Sequence, residues 1–157
     1  MKVLRIVFVI YLAILIYVLF FKGSYGNTLM AKETGLFSRE RIDILCNFIP
    51  FNTLKDYILR MHYGTINTGI VIKNLVGNLL LFAPMGVFVP VLFGNIINKY
   101  WKFLILIIVI VVLFEVIQFV SARGTADIDD LILNTAGASL FYFITKIPFI
   151  KRLVEKK

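Results

Sequence analysis

The sequence predicts an all-α membrane protein, a polytopic bundle of four transmembrane helices with short helices in the loop after the first. Three observations predict it. Hydrophobic residues make up 60% of the chain and the mean hydropathy is +0.91. Those residues fall into long, nearly uncharged runs, which a soluble domain of 157 residues has no core large enough to hide. Much of the Lys and Arg flanks the runs, as topology signals do. The net charge of +8 is therefore read as contact with anionic headgroups, not nucleic acid. Residues 1–157 read as one membrane domain. Cys46 is the single cysteine, which excludes an intrachain disulfide and leaves an inert thiol.

The first span is expected at about residues 3–21, between Lys2 and Lys22. A charged start before an apolar run also describes a signal peptide. The run is long for that purpose, and the Lys22-Gly23-Ser24-Tyr25-Gly26 stretch lacks an Ala-x-Ala site. Residues 22–73 form a long loop of mixed charge that needs short helices of its own. Thr53-Leu54-Lys55-Asp56 resembles a capping box opening a helix to about His62. Leu54, Tyr57, Ile58 and Met61 share one apolar face, so this helix is suited to the membrane surface. His62 has no second ligand at metal spacing and is expected to face solvent.

The second span, about 74–97, carries Pro84 and Pro90, which free the carbonyls of Leu80 and Gly86. In lipid those carbonyls need partners within the protein, so a kinked, packed helix is expected rather than a full break. Tyr100, Trp101 and Lys102 form an interfacial anchor before the third span, about 103–120. The fourth, about 131–147, carries Gly137, Ala138 and Ser139 for close helix contact. Placing both termini in the cytoplasm puts Lys2, Arg5, Lys99, Lys102 and the basic tail inside, and the 22–73 loop outside.

Polar residues inside these runs point to a site. Glu115 lies thirteen residues beyond Lys102, so about 20 Å along the third helix. Glu115 and Gln118, Asn74 and Asn78, and Asp127, Asp130 and Asn134 each share a helix face. All three sets fall in one outer layer. Simple helix capping by Asp127, Asp129 and Asp130 is an equal reading. Asn78, Gln118 and Asn134 also suit interhelical hydrogen bonding. Glu115 needs a partner, and Arg123 is the nearest cation. Glu115, Asp127 and Asp130 could take Mg²⁺ or Ca²⁺, but their spacing matches no metal motif. No motif of nucleophilic, zinc-hydrolytic or phosphate-binding enzymes occurs, and no metal or cofactor is expected.

The combination of Asn47-Phe48-Ile49-Pro50-Phe51-Asn52-Thr53, the Asn74–Gly86 run with Pro90, and Glu115-Val116-Ile117-Gln118, Arg123, Asp127-Ile128-Asp129-Asp130 and Asn134-Thr135-Ala136-Gly137 resembles the VanZ-like family. That group is named for a teicoplanin-resistance accessory protein of Gram-positive bacteria. The resemblance covers about residues 44–140; Phe141 stands where the family's G-x-x-x-G ending has a second small residue. It implies a bacterial plasma-membrane protein linked, for some members, to glycopeptide resistance. The ligand-binding candidates are Asn47, Pro50, Phe51, Asn74, Asn78, Glu115, Gln118, Arg123, Asp127, Asp130 and Asn134. Their expected partners are membrane lipids, a lipid-linked cell-wall precursor or a lipoglycopeptide. The alternative is a membrane enzyme using Glu115 with Asp127 and Asp130 for acid–base or metal-assisted chemistry. A dimeric transporter is the third reading.

Overall fold

The computed structural model describes residues 2–21, 35–36 and 38–148. The Lys22–Gly26 stretch and the basic tail lie outside the described residues. The chain forms helices α1 (Lys2–Phe21), α2 (Arg39–Leu45), α3 (Asn52–His62), α4 (Thr68–Leu81), α5 (Ala83–Phe93), α6 (Tyr100–Ser121) and α7 (Ile128–Lys146). Two-residue strands β1 (Cys46–Asn47) and β2 (Ala126–Asp127) pair in parallel, Cys46 with Ala126 and Asn47 with Asp127. This bridge was not expected. It ties the first loop to the turn before α7.

Three helical segments among the described residues are long and apolar enough to cross a membrane: Lys2–Phe21, Thr68–Phe93 and Tyr100–Ser121. The chain is a helical membrane protein. The fourth expected span, α7, is not in that set, since Asp129, Asp130 and Asn134 lower its apolarity. It is sheltered instead, packing on α4, α5 and α6 with Asn134, Gly137, Ala138, Tyr142 and Thr145 buried. Leu140 and Phe143 stay exposed on its other side, so Asp129 and Asn134 are kept on the face that packs against the bundle.

The second span begins earlier than expected. The Asn67 side chain accepts from Gly69 N at 2.7 Å and caps α4, so a polar first turn precedes the apolar run. Its proline does more than kink it. Pro84 has no N–H, and Met85 N turns to Phe82 O at 3.0 Å, so α4 and α5 separate at Phe82. The carbonyl of Leu81, left without a helical donor, accepts from the Tyr11 hydroxyl of α1 at 2.9 Å. The carbonyl that draws a partner from a neighbouring helix is thus Leu81's, not one of the two expected, and that of Leu80 accepts from Phe82 N instead.

α4 and α5 run parallel to α7 at backbone contact. A Cβ on Gly137 would strike the carbonyl of Leu79, and one on Gly86 would strike the backbone of Ala138 and Tyr142. Phe141 does not loosen this contact, because the small residue opposite it is Gly86, whose added Cβ would lie 2.9 Å from Phe141 Cβ. The core is formed by Leu15, Phe82, Met85, Val89, Phe103, Ile107, Val111, Ala138 and Tyr142. Tyr100 was expected as an interfacial anchor only. It also packs within 5.3 Å of Tyr142 and donates to Ser139 Oγ at 3.1 Å. Trp101 is exposed with Lys102 over its ring.

Candidate functional site

The polar residues gather at the end of the bundle where α1 and α6 finish and α4 and α7 begin. Asp127 caps α7, accepting from Asp129 N at 2.8 Å. Its carboxylate also accepts from Asn47 Nδ2 at 3.1 Å and from Thr53 Oγ1 at 2.5 Å. Asn47 Oδ1 in turn accepts from Ile49 N and Asn52 Nδ2, both at 3.3 Å. One Asn, one Thr and one Asp thus fold the Asn47–Thr53 turn onto the start of α7.

Phe51 closes that turn with a left-handed backbone, φ 65°. It offers no side-chain cap to α3, and Thr53 faces Asp127, so the expected capping box does not form. The cap comes from another element. Asp129, only 1% exposed, accepts from Phe51 N at 2.5 Å and Leu54 N at 3.2 Å. A carboxylate in the first turn of α7 therefore also meets the free amides opening α3, favoured at both helix N-termini by their dipoles. Asp129 was expected only as a helix opener, and Thr53 only as a cap. With Thr53 offering a local cap on paper, nothing in the sequence signals that the free amides of α3 meet a remote one.

Asn78 donates to Asp130, linking α4 to α7. Asn74, which is exposed, donates to the Tyr57 hydroxyl at 2.9 Å and ties α4 to α3. Asn134, one turn below Asp130 and 3% exposed, has no partner for its Oδ1 among the described residues. Pro50 sits exposed in the turn and makes no hydrogen bond that organises the cluster.

Glu115 does not pair with Arg123 as expected. Its carboxylate accepts from Asp127 N at 3.1 Å. Arg123 instead donates to Phe20 O at 3.2 Å and stacks over Phe21, because the left-handed Ala122 (φ 49°) turns the chain towards α1. Gln118 likewise leaves the cluster, donating to Leu19 O at 3.0 Å. Arg41 carries a role that was not expected. Its guanidinium, buried in α2, donates to Phe119 O at 2.7 Å and Val120 O at 2.8 Å, covering carbonyls at the end of α6.

Beside the cluster lies an apolar groove of about 310 Å³, walled by Ile42, Phe48, Val112, Val116, Phe119 and Leu131. Glu115 and Asp127 also line it. Asp127 is occupied by three donors from Asn47, Thr53 and Asp129, so Glu115 is the carboxylate there with more capacity to accept. Val112 and Val116 belong to the outward face of α6, so the groove opens sideways from the bundle. No group of three His, Cys, Asp or Glu side chains among the described residues is arranged to hold a metal ion. His62 is exposed, with its ring against Tyr63.

The chain is 34% identical over 68 residues to Protein VanZ of Enterococcus faecium. That match takes in 43% of this chain and 41% of the enterococcal protein. No solved structure matches. The family described as VanZ/LLP1 matches residues 8–151. Nearly the whole helical bundle lies within that match, and the chain is a member of the VanZ/LLP1 family.

Proposed function

We propose that this protein is a multi-pass protein of the bacterial plasma membrane that binds an envelope amphiphile at the outward-facing end of its bundle. Four helices span in this reading, α7 among them, as one membrane domain with both termini in the cytoplasm. The support is the placement of charge. Lys2, Arg5, Lys99, Lys102 and Lys146 belong to the helix ends opposite the polar cluster, and basic residues mark the cytoplasmic side.

The observation that carries the binding proposal is the groove. Its surface is almost wholly apolar and suits a hydrocarbon chain, and in this reading a head group reaches the Glu115 carboxylate only at the groove's edge. A lipid-linked cell-wall precursor, a membrane lipid and the tail of a lipoglycopeptide share this chemistry. Family membership favours the last as the route to glycopeptide resistance. The remaining polar residues do not contact the ligand in this reading; Asn47, Thr53, Asp127 and Asp129 hold the loop that forms the groove's mouth.

The test is photocrosslinking of the protein in lipid nanodiscs with an alkyl-diazirine probe bearing a polyhydroxyl head. Val116→Trp, which fills the groove, abolishes labelling of the groove residues. Glu115→Gln weakens labelling by the headed probe more than by a headless alkyl diazirine. Labelling unaffected by both substitutions refutes the reading. In cells, the lipid-tailed teicoplanin and the tail-less vancomycin should differ in their response to Val116→Trp.

A further inference from the structure

Residues 48–63 carry an apolar surface that the bundle does not cover. Phe48 is 67% exposed, Ile58 63% and Tyr63 72%, and Ile49, Phe51 and Leu59 are exposed as well. Leu54, Tyr57 and Met61 of the same helix face inwards and are half-buried, so the outer residues are not the core face. Lys55 and Arg60 stand exposed on α3 and Lys73 on α4, with Arg60 paired to Asp56 at 2.8 Å.

The height of this surface is fixed. Asp129 holds Phe51 and Leu54 to the first turn of α7, Asp127 holds Thr53, and Asn74 holds Tyr57 to α4. The apolar stretches of α1 and α6 end at this same level, with Arg123 stacked over Phe21. Phe48 also joins Val112 and Val116 in the groove, making the segment continuous with the outward face of a span. Aromatic, aliphatic and basic side chains at the level where spans end match the composition of a membrane interface.

We propose that residues 48–63 lie in the headgroup layer of the membrane the bundle crosses. Phe48, Ile49, Phe51, Ile58 and Tyr63 sink about 5–10 Å into the headgroup–acyl boundary, and Lys55 and Arg60 meet anionic lipid phosphates. α3 is an interfacial helix, held at a set depth by bonds to α4 and α7. This goes beyond the amphiphile-binding reading and stands without it, because the lipid surface is contacted whether or not the groove is filled.

The test uses the full chain, with Trp101→Phe as background and a single reporter at Phe48→Trp or Tyr63→Trp. The protein is reconstituted in vesicles of mixed zwitterionic and anionic phospholipid, brominated near the headgroup or near the terminal methyl. Both reporters should emit to the blue of a water-exposed indole. They should lose severalfold more emission to the shallow bromines than to the deep ones. Emission quenched by aqueous acrylamide and not by either brominated lipid overturns the proposal, because the segment then projects into water. Protection from acrylamide and bromines alike also overturns it, because protein then covers the surface. Two reporters on different elements separate local disturbance by one substitution from a true change of depth.

Discussion

Replacing Asp129 by Ala removes the acceptor for two backbone amides at once. Phe51 N and Leu54 N lose bonds of 2.5 and 3.2 Å to a carboxylate that is 1% exposed. A hydrogen bond to a charged group contributes about 1.5–3 kcal/mol. The turn is not covered by protein, and even in a headgroup layer water can reach the Phe51 amide once the turn opens, which sets the expected loss near the lower end. The result is about 3 kcal/mol for Asp129→Ala. Asp129→Asn keeps one oxygen but turns an amide nitrogen towards one of the two donors, for a loss of about half that. Asp56→Asn is the control: it breaks an exposed i,i+4 pair with Arg60 that contributes a few tenths of a kcal/mol, about 0.3–0.5. Thermal inactivation followed by size exclusion in detergent should rank the losses Ala, then Asn, then the control. Limited proteolysis should cut the Asn47–Thr53 turn first in the Ala variant. If Asp129→Ala kept both the wild-type melting midpoint and the wild-type proteolytic pattern, the capping of α3 from α7 would be disproved.

Three further outcomes follow from the packing. Gly137→Ala forces a methyl into the Leu79 carbonyl and should lower the melting midpoint by the equivalent of about 1–3 kcal/mol, whereas Ala136→Gly, on an exposed position, should cost roughly the propensity difference of about 1 kcal/mol. Tyr11→Phe deletes the donor to Leu81 O and should destabilise by about 1–3 kcal/mol, read in the same thermal assay; no change would mean that carbonyl has another donor. Burial pushes the Cys46 thiol up, so less of it is thiolate near neutral pH and maleimide labelling of the native protein should be slow, rising with pH and on unfolding. Fast native labelling at neutral pH would contradict the packing of Cys46.

Three of the expected spans and the meeting of Asn78 with Asp130 were legible because helix periodicity follows directly from spacing along a regular helix. Asn78 meets Asp130 across α4 and α7, both of which have the expected phase. What spacing does not encode is where a loop lands. Arg123 follows a left-handed turn at Ala122 towards α1, and position 122 carries no glycine to announce it, while Gln118 reaches Leu19 O from within α6 because α1 packs beside that helix. The roles of Asp129, Thr53 and Arg41 belong to contacts between segments 74 or more residues apart, set by the parallel bridge of Cys46 and Asn47 to Ala126 and Asp127. The break at Phe82 was read as a kink because the sequence shows the proline, but not that Tyr11 waits with a hydroxyl to make the break tolerable.

That last arrangement bears on biogenesis. The hydroxyl that completes α4 belongs to a helix that the ribosome makes some seventy residues before its acceptor. A hydrocarbon environment offers the unsatisfied oxygen of Leu81 no substitute. The discontinuous second span therefore settles fully only after it finds α1, so the pairing of these two segments precedes the final closure of the bundle around them.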